Sequence, residues 1–143
     1  MVKKIGIKQL ANLFDVTEQT IRFYDSKGVF PYLKREENNY RYANFEDLEW
    51  FKMVFILRNA GMELNNIKIY LDLCIEGDKT APERLKIIVT QKEALKEKIQ
   101  KLNDELDLLN NKEKHYENLI KTGEMDKWNP INFEVELKNK KII

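Results

Sequence analysis

Residues 15–31 read "DVTEQTIRFYDSKGVFP". Thr17 ahead of Glu18 is a helix start, because a hydroxyl there accepts a free backbone N–H and an acid suits the positive end of the helix dipole. The helix that follows turns Thr20, Ile21 and part of Tyr24 inward, with Val16 packing just before it. Gly28 supplies a left-handed C-cap, and Pro31 follows three residues later. The other edge carries Thr17, Gln19, Arg22, Tyr24 and Ser26. These are hydroxyls, an amide and a guanidinium, the groups that hydrogen-bond phosphates and base edges. The competing reading of this edge is a solvated helix face with a capping threonine.

The flanking segments decide between the two. Upstream, residues 5–14 place Ile7, Leu10, Ala11 and Phe14 at i, i+3, i+4 and i+7, one face of a helix. Downstream, two short β-compatible runs flank Glu37-Asn38-Asn39, where asparagine tolerates the positive φ of a hairpin turn. Asn44, with Asp47 three residues later, then reads as a capping-box variant. The helix it opens is apolar almost all round, with Phe45, Leu48, Trp50, Phe51, Val54, Phe55, Ile56 and Leu57, and is expected at the centre of the core. Gly61 ends it. A further helix, roughly 64–75, carries Ile67, Tyr70 or Leu71, Cys74 and Ile75 on one face. Two short helices, a hairpin and a helical continuation make a winged helix-turn-helix, whose second helix enters the major groove while the wing rests on flanking backbone. The wing adds Arg35, Tyr40 and Arg41 to the candidate DNA-binding set.

Past a linker, "EGDKTAPER", Thr80, Pro82 and Glu83 form a strong helix start. A heptad pattern runs from there to about Lys121. One seam position holds Leu85, Lys92, Ile99, Leu106, Glu113 and Ile120, and the other holds Ile88, Leu95, Leu102, Leu109 and Tyr116. Nine of these eleven are apolar, which defines a coiled-coil seam. At 1.5 Å per residue the helix is about 60 Å long, too long to be buried within one small chain. A homodimer is therefore expected, with the nine apolar residues as its contacts. Lys92 and Glu113 lie towards opposite ends of the seam, where an antiparallel partner brings them together. The expected fold class is mainly α: a winged helix-turn-helix domain over 1–76, a long antiparallel coiled-coil dimerisation helix over 80–121, and a C-terminal tail over 122–143.

Composition narrows the function classes. Of 143 residues, 34% are charged, yet the net charge is only +1, so any basic surface is local. The bias sits at the N-terminal end: eight Lys or Arg against five acids up to Tyr42. A single cysteine, Cys74, excludes an intrachain disulfide and suits a reducing cytoplasm. With no apolar run of membrane-span length and no signal-peptide pattern, a cytoplasmic protein without membrane association is expected. One histidine, one cysteine, no glycine-rich phosphate loop and no paired acid cluster argue against an enzyme. No cofactor is expected.

The runs "IGIKQLANLFDVTEQTIRFYDSKGVFP" and "NNYRYANFEDLEWFKMVFILRNAGMELNNIKIYLDL" together resemble the DNA-binding domain of the mercury-resistance-regulator (MerR) family of bacterial transcription regulators. The resemblance spans residues 5–75 in order, and the coiled-coil helix matches in kind. "EGDKTAPERL" further resembles the family's small regulators of aldehyde and thiol stress. The resemblance implies an antiparallel dimer on a near-palindromic site in double-stranded DNA, inside an over-long promoter spacer. With effector bound, such a dimer bends and untwists the spacer so that RNA polymerase engages both promoter elements. It also implies phosphate contacts by Arg22 and Tyr24 from the recognition helix, by Tyr40 and Arg41 from the wing, and by Arg58 from the end of the core helix. Departures from the family pattern are Phe23 in place of an aromatic hydroxyl, Asp15 and Asn39 in place of turn glycines, and Glu63 in place of a capping serine.

The effector is open at this stage. The family's metal sensors carry several cysteines at the end of the coil; this chain has none there, so no metal site is expected. The tail is too short for a drug-binding domain. Ile56 occupies the position where stress-responsive members often carry a redox cysteine. Cys74 remains as a candidate redox or adduct switch, against the reading of a small buried hydrophobe, and Trp128 as a candidate cap of an effector pocket. His115 reads as a surface residue of the coil. The alternatives in function are a simple repressor, or an architectural or protein-interaction module that uses the coiled coil.

Overall fold

The computed structural model describes residues 3–141. It divides into two compact units, one reaching to Lys96 and the other starting at Glu97.

The first unit is a winged helix-turn-helix. Its elements are β1 (Lys4–Gly6), α1 (Ile7–Leu13), α2 (Glu18–Ser26), β2 (Lys34–Arg35), β3 (Arg41–Asn44), α3 (Leu48–Asn59) and α4 (Leu64–Glu76). The three strands form an antiparallel sheet in the order β1-β3-β2. Ile5 pairs with Ala43 on one side of β3, and Arg35 pairs with Arg41 on the other. The expected helix over 5–14 is corrected here: it begins only at Ile7, because Lys4–Gly6 is pulled out as a strand. Ile5 is buried from that strand rather than from the helix.

The turn between α1 and α2 uses Asp15 at φ +53, and the wing uses Asn39 at φ +67. Both are residues that reach the left-handed region at modest cost. Gly28, at φ +77, ends α2 as its sequence position demands. The core gathers Leu10, Ile21, Val29, Phe51, Val54, Met62, Ile67 and Leu71. Burying one such large side chain contributes roughly 1.5–3 kcal/mol. The core therefore locks α2 through Ile21 and leaves its outer edge to solvent.

Several expectations about ends and faces are corrected. Asn44 makes no side-chain cap bond; residues 45–47 form a 3-10 turn, and α3 starts at Leu48. Phe45 and Ile56 are exposed rather than in the core, and Ile75 is exposed on α4. The 42-residue α5 runs Ala81–Thr122 after a 3-10 turn over Asp78–Thr80. Thr80 is only 4% exposed. Its hydroxyl lies 2.7 Å from the Leu73 carbonyl and 2.8 Å from that of Gly77, and accepts from Arg84 Nε at 3.0 Å. It thus closes off the end of α4 as well as standing before α5. Gln91 of α5 donates to the Ala60 carbonyl at 3.1 Å.

In the second unit, α5 ends before Gly123, and the tail adds a 3-10 turn (Pro130–Asn132) and α6 (Phe133–Asn139). No helix among the described residues is long and apolar enough to cross a membrane.

Candidate nucleic-acid interface

Helix α2 is placed by Ile21 below and by an aromatic cluster at its end. Tyr24 lies 5.9 Å from Phe30 and 5.7 Å from Phe55, ring centre to ring centre. Thr17 accepts from the Thr20 N–H at 3.1 Å and so caps the helix, as its type and place dictate. Gln19 and Arg22 are exposed on its outer edge, and Arg22 makes no ion pair among the described residues.

The wing is joined to α2 by one carboxylate. Asp25 Oδ2 accepts from Arg41 Nε at 3.0 Å and from Arg35 Nη2 at 3.3 Å. Arg35 Nη1 also donates to Asn39 Oδ1 at 3.1 Å, which holds the turn. Asp25 and Arg41 are partly withdrawn from solvent, with side chains 18% and 21% exposed. Asp25 was not among the residues singled out in the sequence. The available signal was a carboxylate in the last turn of a helix, where the dipole disfavours it unless a cation is supplied from elsewhere.

Tyr40, half exposed on the wing, lays its hydroxyl end over Gly6, where any side chain on residue 6 would collide with it. Lys4 sits over the Tyr42 ring at 4.5 Å and Lys27 over Phe23 at 5.4 Å. Arg58 lies in the last turn of α3, where Nη1 donates to the Met62 carbonyl at 3.2 Å. The structure thus brings Arg35, Arg41 and Asp25 into contact, and leaves Arg58 tied to its own turn.

Cys74 is half-buried, with Arg84 Nη1 at 4.0 Å from its sulfur. Burial pushes the neighbouring Tyr70 phenol up; Cys74 adds to the rise and Arg84 works against it. No group of three or more His, Cys, Asp or Glu among the described residues is arranged to hold a metal ion.

In the second unit, His115 is corrected from a surface residue to an anchor. Its side chain is 16% exposed, and Nε2 lies 2.8 Å from Asp126 Oδ1. The Trp128 ring stacks on it at 4.2 Å. The nine apolar seam residues of α5, Leu85 to Ile120, are each between 37% and 85% exposed in the single chain.

Comparison with known proteins agrees with this geometry. The family profile described as MerR HTH family regulatory protein matches residues 6–74. Over 107 residues the chain is 36% identical to an uncharacterized HTH-type transcriptional regulator of Haemophilus influenzae, covering 75% of this chain and 79% of that one. It is 32% identical over 91 residues to the HTH-type transcriptional regulator AdhR of Bacillus subtilis, covering 64% of this chain and 65% of that one. Among solved structures it resembles HiNmlR, a MerR family regulator lacking the sensor domain, bound to promoter DNA. That match has a TM-score of 0.69 and 32% identity, over 85% of this chain and 96% of that one. The chain, with its winged helix-turn-helix and its long following helix, belongs to the MerR family of transcriptional regulators.

Proposed function

We propose that this regulator acts as a homodimer that distorts promoter spacer DNA in response to an effector, so that RNA polymerase engages the promoter. The observation that carries this reading is the exposed seam of α5. Nine large apolar side chains at heptad spacing face solvent in one chain, and a second copy of the helix is what covers such a stripe. An antiparallel pair sets Lys92 against Glu113 of the other copy. Two winged domains then meet DNA with two-fold symmetry, as a near-palindromic site requires.

On each half-site, α2 presents Thr17 and Gln19 to the DNA, and Arg22 and Tyr24 contact phosphates from it. Arg35, Tyr40 and Arg41 grip the backbone from the wing, and Arg58 from the end of α3. Phosphate contacts of this kind position the protein and supply the grip needed to deform DNA. The relative HiNmlR, whose solved structure is on promoter DNA, supports the choice of partner. Cys74, beside Arg84 at the joint between α4 and α5, and Trp128, in the tail, are the residues we assign to sensing a redox or small-molecule effector. The protein is placed in the cytoplasm by this reading, where its promoter lies.

The test is a footprint on fragments of its own genome, selected by binding, followed by transcription in vitro. A protected dyad within a long promoter spacer, with transcript raised by the bound protein under inducing conditions, is the expected result. Protection that only lowers transcript makes the protein a simple repressor. No discrete site makes it an architectural or protein-interaction module.

A further inference from the structure

We propose that Asp25 is a positioning residue for DNA binding: it gathers Arg35 and Arg41 and fixes the wing against the recognition helix. The inference rests on the reading that the wing arginines contact phosphates.

Two placements in this domain are unfavourable when taken alone. Arg35 and Arg41 are directly paired across β2 and β3, and like charges opposite each other weaken a strand pair. Asp25 lies in the last turn of α2, where a carboxylate opposes the helix dipole. A single contact resolves both. Oδ2 of Asp25 accepts from both guanidinium groups, at 3.0 Å and 3.3 Å, so the repulsion is offset and the acid acquires its cations. The two elements that must meet DNA together are thereby bridged through side chains that are 16 and 10 residues apart in sequence.

The hydrogen-bond pattern suits a positioning role. Arg41 is held through Nε alone, so its terminal Nη–H donors carry no bond among the described residues. Guanidinium recognises phosphate through paired donors in a fixed fork. Holding it by Nε orients that fork without occupying it. Arg35 is restrained at both ends, by Asp25 and by Asn39 in the turn. A flexible arginine must lose rotamer freedom when it binds; these two have lost part of it already.

The proposal has a sign that simple electrostatics does not share. An acid near a polyanion repels it, so its removal should tighten binding and steepen the salt dependence. If Asp25 positions the arginines, its removal weakens binding and flattens that dependence.

The experiment uses the full chain and a duplex selected from a random-sequence pool by the wild-type protein. Affinity is titrated at several salt concentrations for Asp25→Ala, Asp25→Asn, Arg35→Ala/Arg41→Ala and the triple variant, with circular dichroism as the check on folding. Asp25→Ala is expected to weaken binding roughly five- to twentyfold and to lower the salt slope. Loss of both phosphate contacts outright lowers that slope by up to ~1.8 per binding domain. Asp25→Asn, which keeps an acceptor oxygen, is expected to fall between Asp25→Ala and wild type. In the chain that already lacks both arginines, Asp25→Ala is expected to weaken binding no further. Unchanged or tighter binding by Asp25→Ala, with the double arginine variant weakened, overturns the proposal and leaves the interface intact. Equal weakening by Asp25→Ala with and without the arginines overturns it too. Full affinity in the double arginine variant overturns the proposal as well, and removes Arg35 and Arg41 from the interface.

Discussion

His115 Nε2 lies 2.8 Å from Asp126 Oδ1 across the reversal that follows α5. The same Asp126 oxygen accepts from the Trp128 N–H at 3.0 Å, and Asn132 Nδ2 donates to the Asp126 carbonyl at 2.9 Å. One acid therefore folds the tail onto the helix end, with Trp128 stacked on the histidine. The hydrogen bond from His115 holds the Asp126 carboxyl below its ordinary value of 3.8, against a smaller opposing effect of desolvation and with help from the Trp128 N–H. A carboxyl depressed in the folded state stabilises it fully above its ordinary value, and that contribution is lost as pH falls through the depressed one. The tail over 128–139 should thus be ordered at pH 6 and loosen only below 3.8. Asp126→Asn should loosen it at pH 6, where the wild-type carboxylate is ionised. Heteronuclear NOE of the tail amides reads this directly, and an Asp126→Asn tail as ordered at pH 6 as the wild type would contradict it.

Tyr40 and Gly6 make a second prediction. Gly6 has φ −78, a conformation any residue adopts, so alanine is not strained there. The added methyl meets the end of the Tyr40 side chain, which is half exposed and free to swing outward. Gly6→Ala should therefore leave the thermal midpoint nearly unchanged and displace a ring that belongs to the proposed interface. A lost hydrogen bond to a charged phosphate, about 1.5–3 kcal/mol, corresponds to a roughly ten- to hundredfold loss of affinity. Tyr40→Ala should lose at least as much, and the two changes together no more than Tyr40→Ala alone. Fluorescence anisotropy with the selected duplex measures all three; wild-type affinity in Gly6→Ala means that the Tyr40 pose is irrelevant to binding.

The seam gives a third. Leu102 lies mid-helix and is exposed in the single chain. Leu102→Lys should shift sedimentation towards monomer and abolish dyad protection, because a charge in a desolvated seam is costly. Lys92→Glu sets two acids face to face in an antiparallel pair and should weaken the dimer. Adding Glu113→Lys to the same chain should restore it. Failure of that restoration, with Leu102→Lys still monomeric, would argue for a parallel pair or a different register.

How much of this was legible in the sequence depends on how local each determinant is. Gly28, Asp15 and Asn39 announce their turns because only a few residue types reach a positive φ cheaply, and all three adopt it. Thr17 and Ile21 settle the orientation of α2 by the same local logic. β1 was not legible. Three residues pairing with β3 some forty positions away carry no local signal. Asp25 and His115 were missed for a related reason. Each is a polar residue whose partners arrive from another element, and a single sequence does not show that pairing. Phe45 and Ile56 show the converse: apolar residues on an apolar helix need not all face inward.

The joint between α4 and α5 separates two residues that the sequence places close together. Thr80 is buried and links the Leu73 and Gly77 carbonyls to Arg84 Nε, whereas Cys74 touches Arg84 only at the long distance of 4.0 Å. Thr80→Val keeps the shape but strands buried polar groups, a loss of about 1–3 kcal/mol. Cys74→Ser removes one weak contact and should change stability by less than about 1 kcal/mol. Neither residue faces DNA in the proposed interface, so both variants should bind the selected duplex with wild-type affinity once folded. Urea titration of each variant, with and without duplex, checks the contrast. A larger loss in Cys74→Ser than in Thr80→Val would show that the thiol and not the hydroxyl holds the joint. An oxidant or aldehyde that modifies Cys74 would then act on the element that joins the DNA-binding helices to α5.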